Sequence, residues 1–338
     1  MASQRALITG ITGMVGSHLA DYLLANTDWS LIGLCRWRSP MDNIAHLTAR
    51  ANRSDRLEFV YGDLRDELSL RHAVEQAAPD FVFHLAAQSY PQTSFTAPLD
   101  TFDTNISGTL RLLEACRSTG AADMWIHVCA SSEVFGRVPQ DKLPIDEECG
   151  FHPASPYAIS KVGTDLVGRF YAEAYGLNVQ TTRMFTHTGP RRGDVFAESS
   201  FAKQIAMIEA DMVPPVVKTG NLKSLRTWSD VRDAVRAYHM LLTVDPVAGA
   251  YYNIGGNFSC TVEDMLAFLL RHSSRDDITV ETEAARVRPI DADLQVPDTR
   301  KFENHTGWRP EIGFETTMTD LLDYWRQRIA SGAVPLTR

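Results

Sequence analysis

The sequence predicts an α/β fold: a Rossmann-type, doubly wound parallel sheet with a smaller α/β substrate lobe. Three observations predict it. Short apolar, β-branched runs alternate with longer amphipathic stretches, a glycine-rich turn follows the first run, and the rhythm breaks after about residue 185.

Residues 6–9, 31–34, 57–61, 81–85, 124–129 and 179–183 read as buried strands, each bounded by turn formers. Amphipathic segments such as 16–24 and 108–117 lie between them and read as helices. Strand, helix, strand in this order gives a parallel sheet with right-handed crossovers, whose ligands collect beyond the carboxyl ends of the strands. After residue 185 come loops rich in Pro, Gly and Arg, a helix at 200–209, a strand-like run at 216–218 and a C-terminal helix at 316–329. The expected division places residues 1–185 in a dinucleotide-binding domain, with 227–257 returning to it. Residues 186–226 and 258–338 form the lobe that closes over a substrate. Neither repeats nor a long linker separates the two.

The chain has 338 residues, 44% of them hydrophobic, and a net charge of −9. Such a balance argues against nucleic acid and anionic membrane surfaces as partners, so any anionic ligand must meet local positive charge. The five cysteines (Cys35, Cys116, Cys129, Cys149, Cys260) are scattered, without a CxxC pair, and read as reduced thiols. MASQRALITG enters a strand directly, without the regions of an export signal, and no apolar run approaches the ~18 residues of a membrane span. The expected location is the cytoplasm.

Gly10, Gly13 and Gly16 form G-x-x-G-x-x-G between the first strand and the first helix, with Thr12, Met14 and Val15 in the same turn. Absent Cβ atoms let the backbone approach a pyrophosphate, which rests on the helix N-terminus. At the end of the second strand, where an NAD enzyme places an acid, the chain reads GLCRWRSP. Arg36, Arg38 and Ser39 suit a 2′-phosphate there, so NADP is expected over NAD. Asp63, with Leu64 at the end of the third strand, is placed to accept from the adenine amino group or to cap a helix.

Tyr157 and Lys161, in SPYAISK, stand four apart on a helical stretch and share one face. A nearby ammonium, helped by an oxidised nicotinamide, is expected to lower the tyrosine pKa from its usual ~10. The fifth strand runs into VCASSEVFG, which puts Ser131, Ser132 and Glu133 at the carboxyl end of the sheet. Ser131 can hydrogen-bond the oxygen that Tyr157 deprotonates. Glu133 is either a base or a solvated cap.

The glycine motif, GDL at the third strand, HLAAQS at the fourth, Asn105 in TNISGT, ASSEVFG, the Tyr157/Lys161 pair and the segment from Arg183 together resemble an extended short-chain dehydrogenase/reductase over almost the whole chain. Within it, AAQSYPQTSF, GTLRLLEACR, THTGPRRG, FAKQI, GNLKSLRTWSDVRD and RVRPIDADL are similar to GDP-mannose 4,6-dehydratases and their sister 4-keto-6-deoxymannose reductases. The resemblance implies Leu85, Ala86, Ala87 and His187 as further cofactor contacts. It implies Gln88, Ser89, Ser132, Thr186 and Asn221 at a GDP-sugar. Arg191, Arg192, Lys203, Arg226 and Arg288 are the cations that the sugar's diphosphate would require, Arg226 and Arg288 foremost.

A 4,6-dehydratase needs a base for the C5 proton besides the tyrosine, and Glu133 fits that role. The alternatives are an NADPH-dependent 4-ketoreductase, which needs only Ser131, Tyr157 and Lys161, or a nucleotide-sugar epimerase. RWRSPMDNIAHL resembles the dehydratase loop that reaches a neighbouring subunit's cofactor, which tilts the reading to a dehydratase and to a homodimer or homotetramer. A catalytically silent dinucleotide-binding module is the reading from another class, but it would be expected to have lost Tyr157 or Lys161. Two positions depart from the family pattern: Thr186 replaces an asparagine and Thr227 an aspartate after Arg226. These departures point to a substrate variant, a GDP-mannoheptose rather than GDP-mannose itself. His84, His127, His152 and His187 lack ligand spacing, so no metal is expected. Phe196 and Trp228 read as core, or as a wall beside a base or sugar.

Overall fold

In the computed structural model, which describes residues 3–53, 55–121, 123–286 and 292–333, the apolar runs become the strands of one parallel sheet. They are β1 (Arg5–Thr9), β2 (Ser30–Cys35), β3 (Leu57–Tyr61), β4 (Phe81–His84), β5 (Trp125–Cys129) and β6 (Asn178–Met184). β4 is buried along its whole length, and β1 and β2 everywhere but their first residue, which is why they read as continuous rather than alternating runs. The sheet is completed by a seventh strand from much later in the chain, Tyr251–Ile254, and its order is β3-β2-β1-β4-β5-β6 and then that strand.

Helices cover both faces. Leu19 and Leu23 of α1 (Met14–Asn26) share a core with Val235, Tyr238 and Leu242 of the helix Val231–Thr243. On the opposite face, Leu70 and Val74 of the helix Glu67–Ala77 pack with Leu112 and Leu113 of the helix Gly108–Ser118. The strand order reverses between β1 and β4, so the crevice at their carboxyl ends is the place where a ligand can enter the sheet edge-on.

The second lobe has its own core, where Phe201, Ile205, Trp228, Met265, Leu269, Leu321 and Trp325 meet. Its strands are β7 (His187–Thr188), β8 (Val216–Thr219) and β9 (Leu225–Asp230), followed, after the large sheet's β10 (Tyr251–Ile254), by β11 (Phe258–Thr261), β12 (Thr279–Thr282) and β13 (Leu294–Gln295). β9 pairs with β7, β11 and β13, and β8 with β12. Residues 227–230 therefore lie in the smaller sheet, and the return to the large one begins with the helix Val231–Thr243.

Two glycines decide how closely α1 approaches the sheet. Gly10 has φ +73°, and a Cβ there would lie 2.8 Å from the Ala86 nitrogen. A Cβ on Gly16 would lie 2.3 Å from the Gly10 carbonyl oxygen. Gly16→Ala should therefore cost about 1–3 kcal/mol, read as a lower urea midpoint with unchanged slope; a midpoint equal to wild type would show that α1 can move away freely.

Candidate active site

One cavity of about 980 Å³ runs from the glycine turn to the smaller lobe. At its near end α1 begins with Gly13 as N-cap and no side chain capping it, so its first backbone N–H groups face the cavity unclaimed by a side chain. Gly10, Thr12, Gly13, Met14, Val15 and Gly16 all line it. Such a cradle, closed to any Cβ at Gly10 and Gly16, fits a dinucleotide pyrophosphate.

The segment after β4 is fixed by a hydrogen-bond chain. Thr9 Oγ1 accepts the N–H groups of Leu85 and Ala86, each at 3.1 Å, and lies 2.9 Å from His84 Nδ1. His84 Nε2 is 3.0 Å from Thr109 Oγ1, which itself donates to the Asn105 carbonyl at 2.6 Å. His84 Nε2 is therefore the donor and Nδ1 the acceptor. Asn105 Oδ1 accepts the Gln88 N–H at 2.8 Å, and its amide donates to the Gln88 carbonyl and to Ser160 Oγ. Leu85, Ala86, Ala87, Gln88 and Ser89 thereby line the cavity opposite the helix Pro156–Tyr175.

Ser155 caps that helix by accepting the Ala158 N–H at 3.0 Å, and Pro156 occupies its first turn. Tyr157 follows at once, nearly buried, with Lys161 one turn on. Ser131 hydrogen-bonds Tyr157, and its Oγ also accepts the Glu133 N–H at 3.2 Å. Lys161 Nζ donates to the Cys129 carbonyl at 2.8 Å. Ser131, Ser132, Glu133, Tyr157 and Lys161 all line the cavity, with Glu133 Oε1 3.5 Å from an Arg226 nitrogen. The expected lowering of Tyr157 by Lys161 is not what the protein's own groups do. Burial raises the phenol well above its usual range, against the Ser131 hydrogen bond and the charge of Arg192, while burial lowers Lys161.

The predicted cations are not all in one place. Arg36 and Ser39 line the cavity, their side chains 3.4 Å apart, but Arg38 is exposed and off its wall. Arg191 turns to α1, 2.7 Å from Asp21. Arg192 lies 3.5 Å above the Phe196 ring and pairs with Glu198 at 2.9 Å, inside the cavity and near Tyr157. Lys203 is turned to Asp194 at 2.8 Å and does not line the cavity. Asn221 and Arg226 line it, and Arg288 lies outside the described residues.

On β9 alternation decides the rest: Arg226 and Trp228 face the cavity, whereas Thr227 is buried on the other side with Oγ1 2.6 Å from Ser259 Oγ. Its departure from the family pattern therefore lies off the cavity wall, while that of Thr186 lies on it. Asp63 also lines the wall and accepts the Arg65 N–H; the cap of the helix Glu67–Ala77 is Asp66 instead.

Sequence reading missed Asp42, Asn43, Tyr90, Arg286, Tyr324, Trp325 and Arg328 on the same wall. Asn43 carried a signal, lying inside the basic segment already singled out; it donates to the Thr12 carbonyl at 3.1 Å. The C-terminal helix carried none, because Trp325 reads as core by periodicity. Among the described residues no three His, Cys, Asp or Glu side chains gather as metal ligands. His152 does not line the cavity, and His127 Nε2 lies 2.8 Å from Thr182 Oγ1.

A family model described as GDP-mannose 4,6 dehydratase matches residues 7–321. GDP-6-deoxy-D-mannose reductase of Pseudomonas aeruginosa is 31% identical, over 97% of this chain and 99% of that protein. GDP-mannose 4,6 dehydratase 1 of Arabidopsis thaliana is 33% identical, over 94% of this chain and 88% of that protein. Among solved structures, the dTDP-glucose 4,6-dehydratase DesIV of Streptomyces venezuelae, with NAD bound, superposes with a TM-score of 0.87 at 27% identity, covering 97% of this chain and 98% of that one. RMD of Pseudomonas aeruginosa, complexed with NADPH, gives 0.80 at 27% identity, covering 96% and 100%.

Burial holds four imidazoles neutral: His18 and His187 fall to about 4, with Arg191 and Arg192 respectively adding to the effect, and His84 and His127 fall to about 3. A depressed folded-state pKa means stability is complete above the unfolded value of 6.5 and is lost as pH falls below it, because the unfolded chain binds protons the folded chain refuses. Urea stability should drop between about pH 6.5 and about pH 4, and His84→Gln should flatten that slope by about 1.4 kcal/mol per pH unit. An unaltered slope in the variant would show that folded His84 titrates normally.

Proposed function

Because the chain belongs to the GDP-mannose 4,6 dehydratase family, we propose that it is a nucleotide-sugar 4,6-dehydratase, converting a GDP-mannose-type sugar to its 4-keto-6-deoxy form. The observation that carries this reading is Glu133 in the cavity beside Ser131, Tyr157 and Lys161, a carboxylate that a simple ketone reduction does not need.

NADP is the favoured cofactor, since Arg36 and Ser39 offer a guanidinium and a hydroxyl at the end of β2. When bound, it would supply hydride transfer, out of C4 of the sugar and back to C6. Tyr157 takes the O4 proton while Ser131 orients O4. Burial opposes the phenolate, and two features offset it: the N-terminus of the helix Pro156–Tyr175 and the charge of Arg192. Lys161, fixed on the Cys129 carbonyl, is held one turn from the phenol. Glu133 then removes the C5 proton, made acidic by the new ketone. The C6 hydroxyl leaves with a proton, from Glu133 or a water it holds, and one water is lost; as hydride returns to C6, C5 takes a proton from solvent through Glu133, and Tyr157 gives the O4 proton back to solvent. Arg226, which touches Glu133, and Asn221 face the diphosphate in this reading, and the smaller lobe holds the nucleotide.

Thr186 is shorter than the family's asparagine and leaves room beside the sugar, which supports a GDP-mannoheptose as substrate beside GDP-mannose. A reductase of the 4-keto sugar is the second reading, favoured by the relative from Pseudomonas aeruginosa that aligns over nearly its full length. Leu110, Ile159, Leu166 and Phe170 are large, exposed apolar side chains on the helices Gly108–Ser118 and Pro156–Tyr175, which supports a homodimer, alone or within a homotetramer. The free thiols of all five cysteines suit the cytoplasm, and among the described residues no helix is long and apolar enough to cross a membrane.

Incubation with GDP-mannose and no added cofactor should give a product lighter by one water, with no net NADPH use. NADPH consumption with only the 4-keto sugar as substrate would favour the reductase instead. Glu133→Gln should lose about 10²–10⁴-fold in dehydration while transient NADPH absorbance persists; full turnover in that variant removes Glu133 from the mechanism. Phe170→Glu should lower the particle mass by light scattering, and an unaltered mass would place the interface elsewhere.

A further inference from the structure

Arg191 and Arg328 reach the glycine turn from the smaller lobe. Arg191 has φ +69°, a left-handed conformation that costs a residue with a Cβ about 1–2 kcal/mol. Its guanidinium lies 2.7 Å from Asp21 on α1, and the preceding Pro190 carbonyl accepts from His18 Nε2 at 3.0 Å. Both partners sit one to two turns inside the helix whose N-terminus forms the cradle.

Arg328, near the end of the helix Phe314–Ala330, lies 3.5 Å from Asp42, next to the Asn43 that holds the Thr12 carbonyl. Its Nε is buried without an acceptor among the described residues, and Arg191 and Arg328 both line the cavity together with Gly13 and Met14. Asp194, also on that wall, is taken by Lys203. A buried guanidinium N–H lacking an acceptor, at the mouth of a helix N-terminus, suits a phosphate oxygen.

We propose that Arg191 and Arg328 form a clasp over the diphosphate bridge of the bound dinucleotide, each anchored by one carboxylate of the large lobe, Asp21 and Asp42. The inference rests on the dinucleotide reading of the glycine turn. Its use follows from the proposed reaction, in which the hydride accepted from one sugar returns to that sugar, so the dinucleotide gains nothing by leaving between turnovers.

Release of NADPH, followed by its fluorescence after rapid mixing with excess NADP+, tests the clasp. Arg328→Met and Arg191→Met should each release NADPH about tenfold faster than wild type, with Arg328→Lys between. Adenosine 2′-phosphate, which has no diphosphate bridge, should bind Arg328→Met as it binds wild type, and GDP affinity should be unchanged in the same variant. Unaltered NADPH release in both methionine variants overturns the clasp, and so does an equal loss of adenosine 2′-phosphate binding. If wild type prefers NADH, the 2′-phosphate reading fails alone, and the same ratio of release rates measured with NADH still decides the clasp.

Discussion

The contact on which the rest of the site depends is the hydroxyl of Thr9. It lies at the last position of β1, where it accepts two backbone N–H groups from the segment after β4 and touches His84. A parallel sheet leaves its strand ends without ladder partners, and at a reversal of strand order two such ends diverge. Thr9 closes that gap from inside, and through His84 and Thr109 it passes the constraint to Asn105. Asn105 in turn touches Gln88 and Ser160, the latter between Tyr157 and Lys161 on their helix. The cofactor cradle and the reactive tyrosine are thus held by one buried polar chain. Each link satisfies groups that would otherwise cost about 1–3 kcal/mol unpaired.

Charge is organised in the same economical way. In a chain of net charge −9, four of the cavity arginines are each held by a carboxylate: Arg191 by Asp21, Arg192 by Glu198, Arg226 by Glu133, Arg328 by Asp42. Such pairing fixes where each guanidinium points. The buried imidazoles take the complementary role, staying neutral where an added positive charge would have no partner.

Much of the large sheet was legible because β1, β2 and β4 are buried on both faces and read as unbroken apolar runs. The glycine turn, Ser131, Glu133, Tyr157 and Lys161 were legible for a related reason, since each follows directly from a strand end or shares one helical face. Side-chain direction in the smaller lobe was not. Thr227 differs from Arg226 only by one step along β9, yet that step turns it away from the cavity, and only the pairing with β11 fixes the phase. Lys203 and Arg38 are cations whose surroundings, Asp194 in one case and solvent in the other, come from tertiary placement. Arg328 is hidden most deeply, because it lies 286 positions along the chain from Asp42.

The return of the chain to the large sheet also bears on how the two lobes were joined. The backbone leaves that sheet after β6, re-enters it with the helix Val231–Thr243 and β10, and leaves again at β11. Phe302 and Trp308 then pack back into the large core before the last helix ends in the smaller one. No single cut divides the polypeptide into two self-sufficient pieces. A chain cut before its final helix would lack both Trp325 in the smaller core and the last wall of the cavity, so neither is complete until the whole polypeptide has been made.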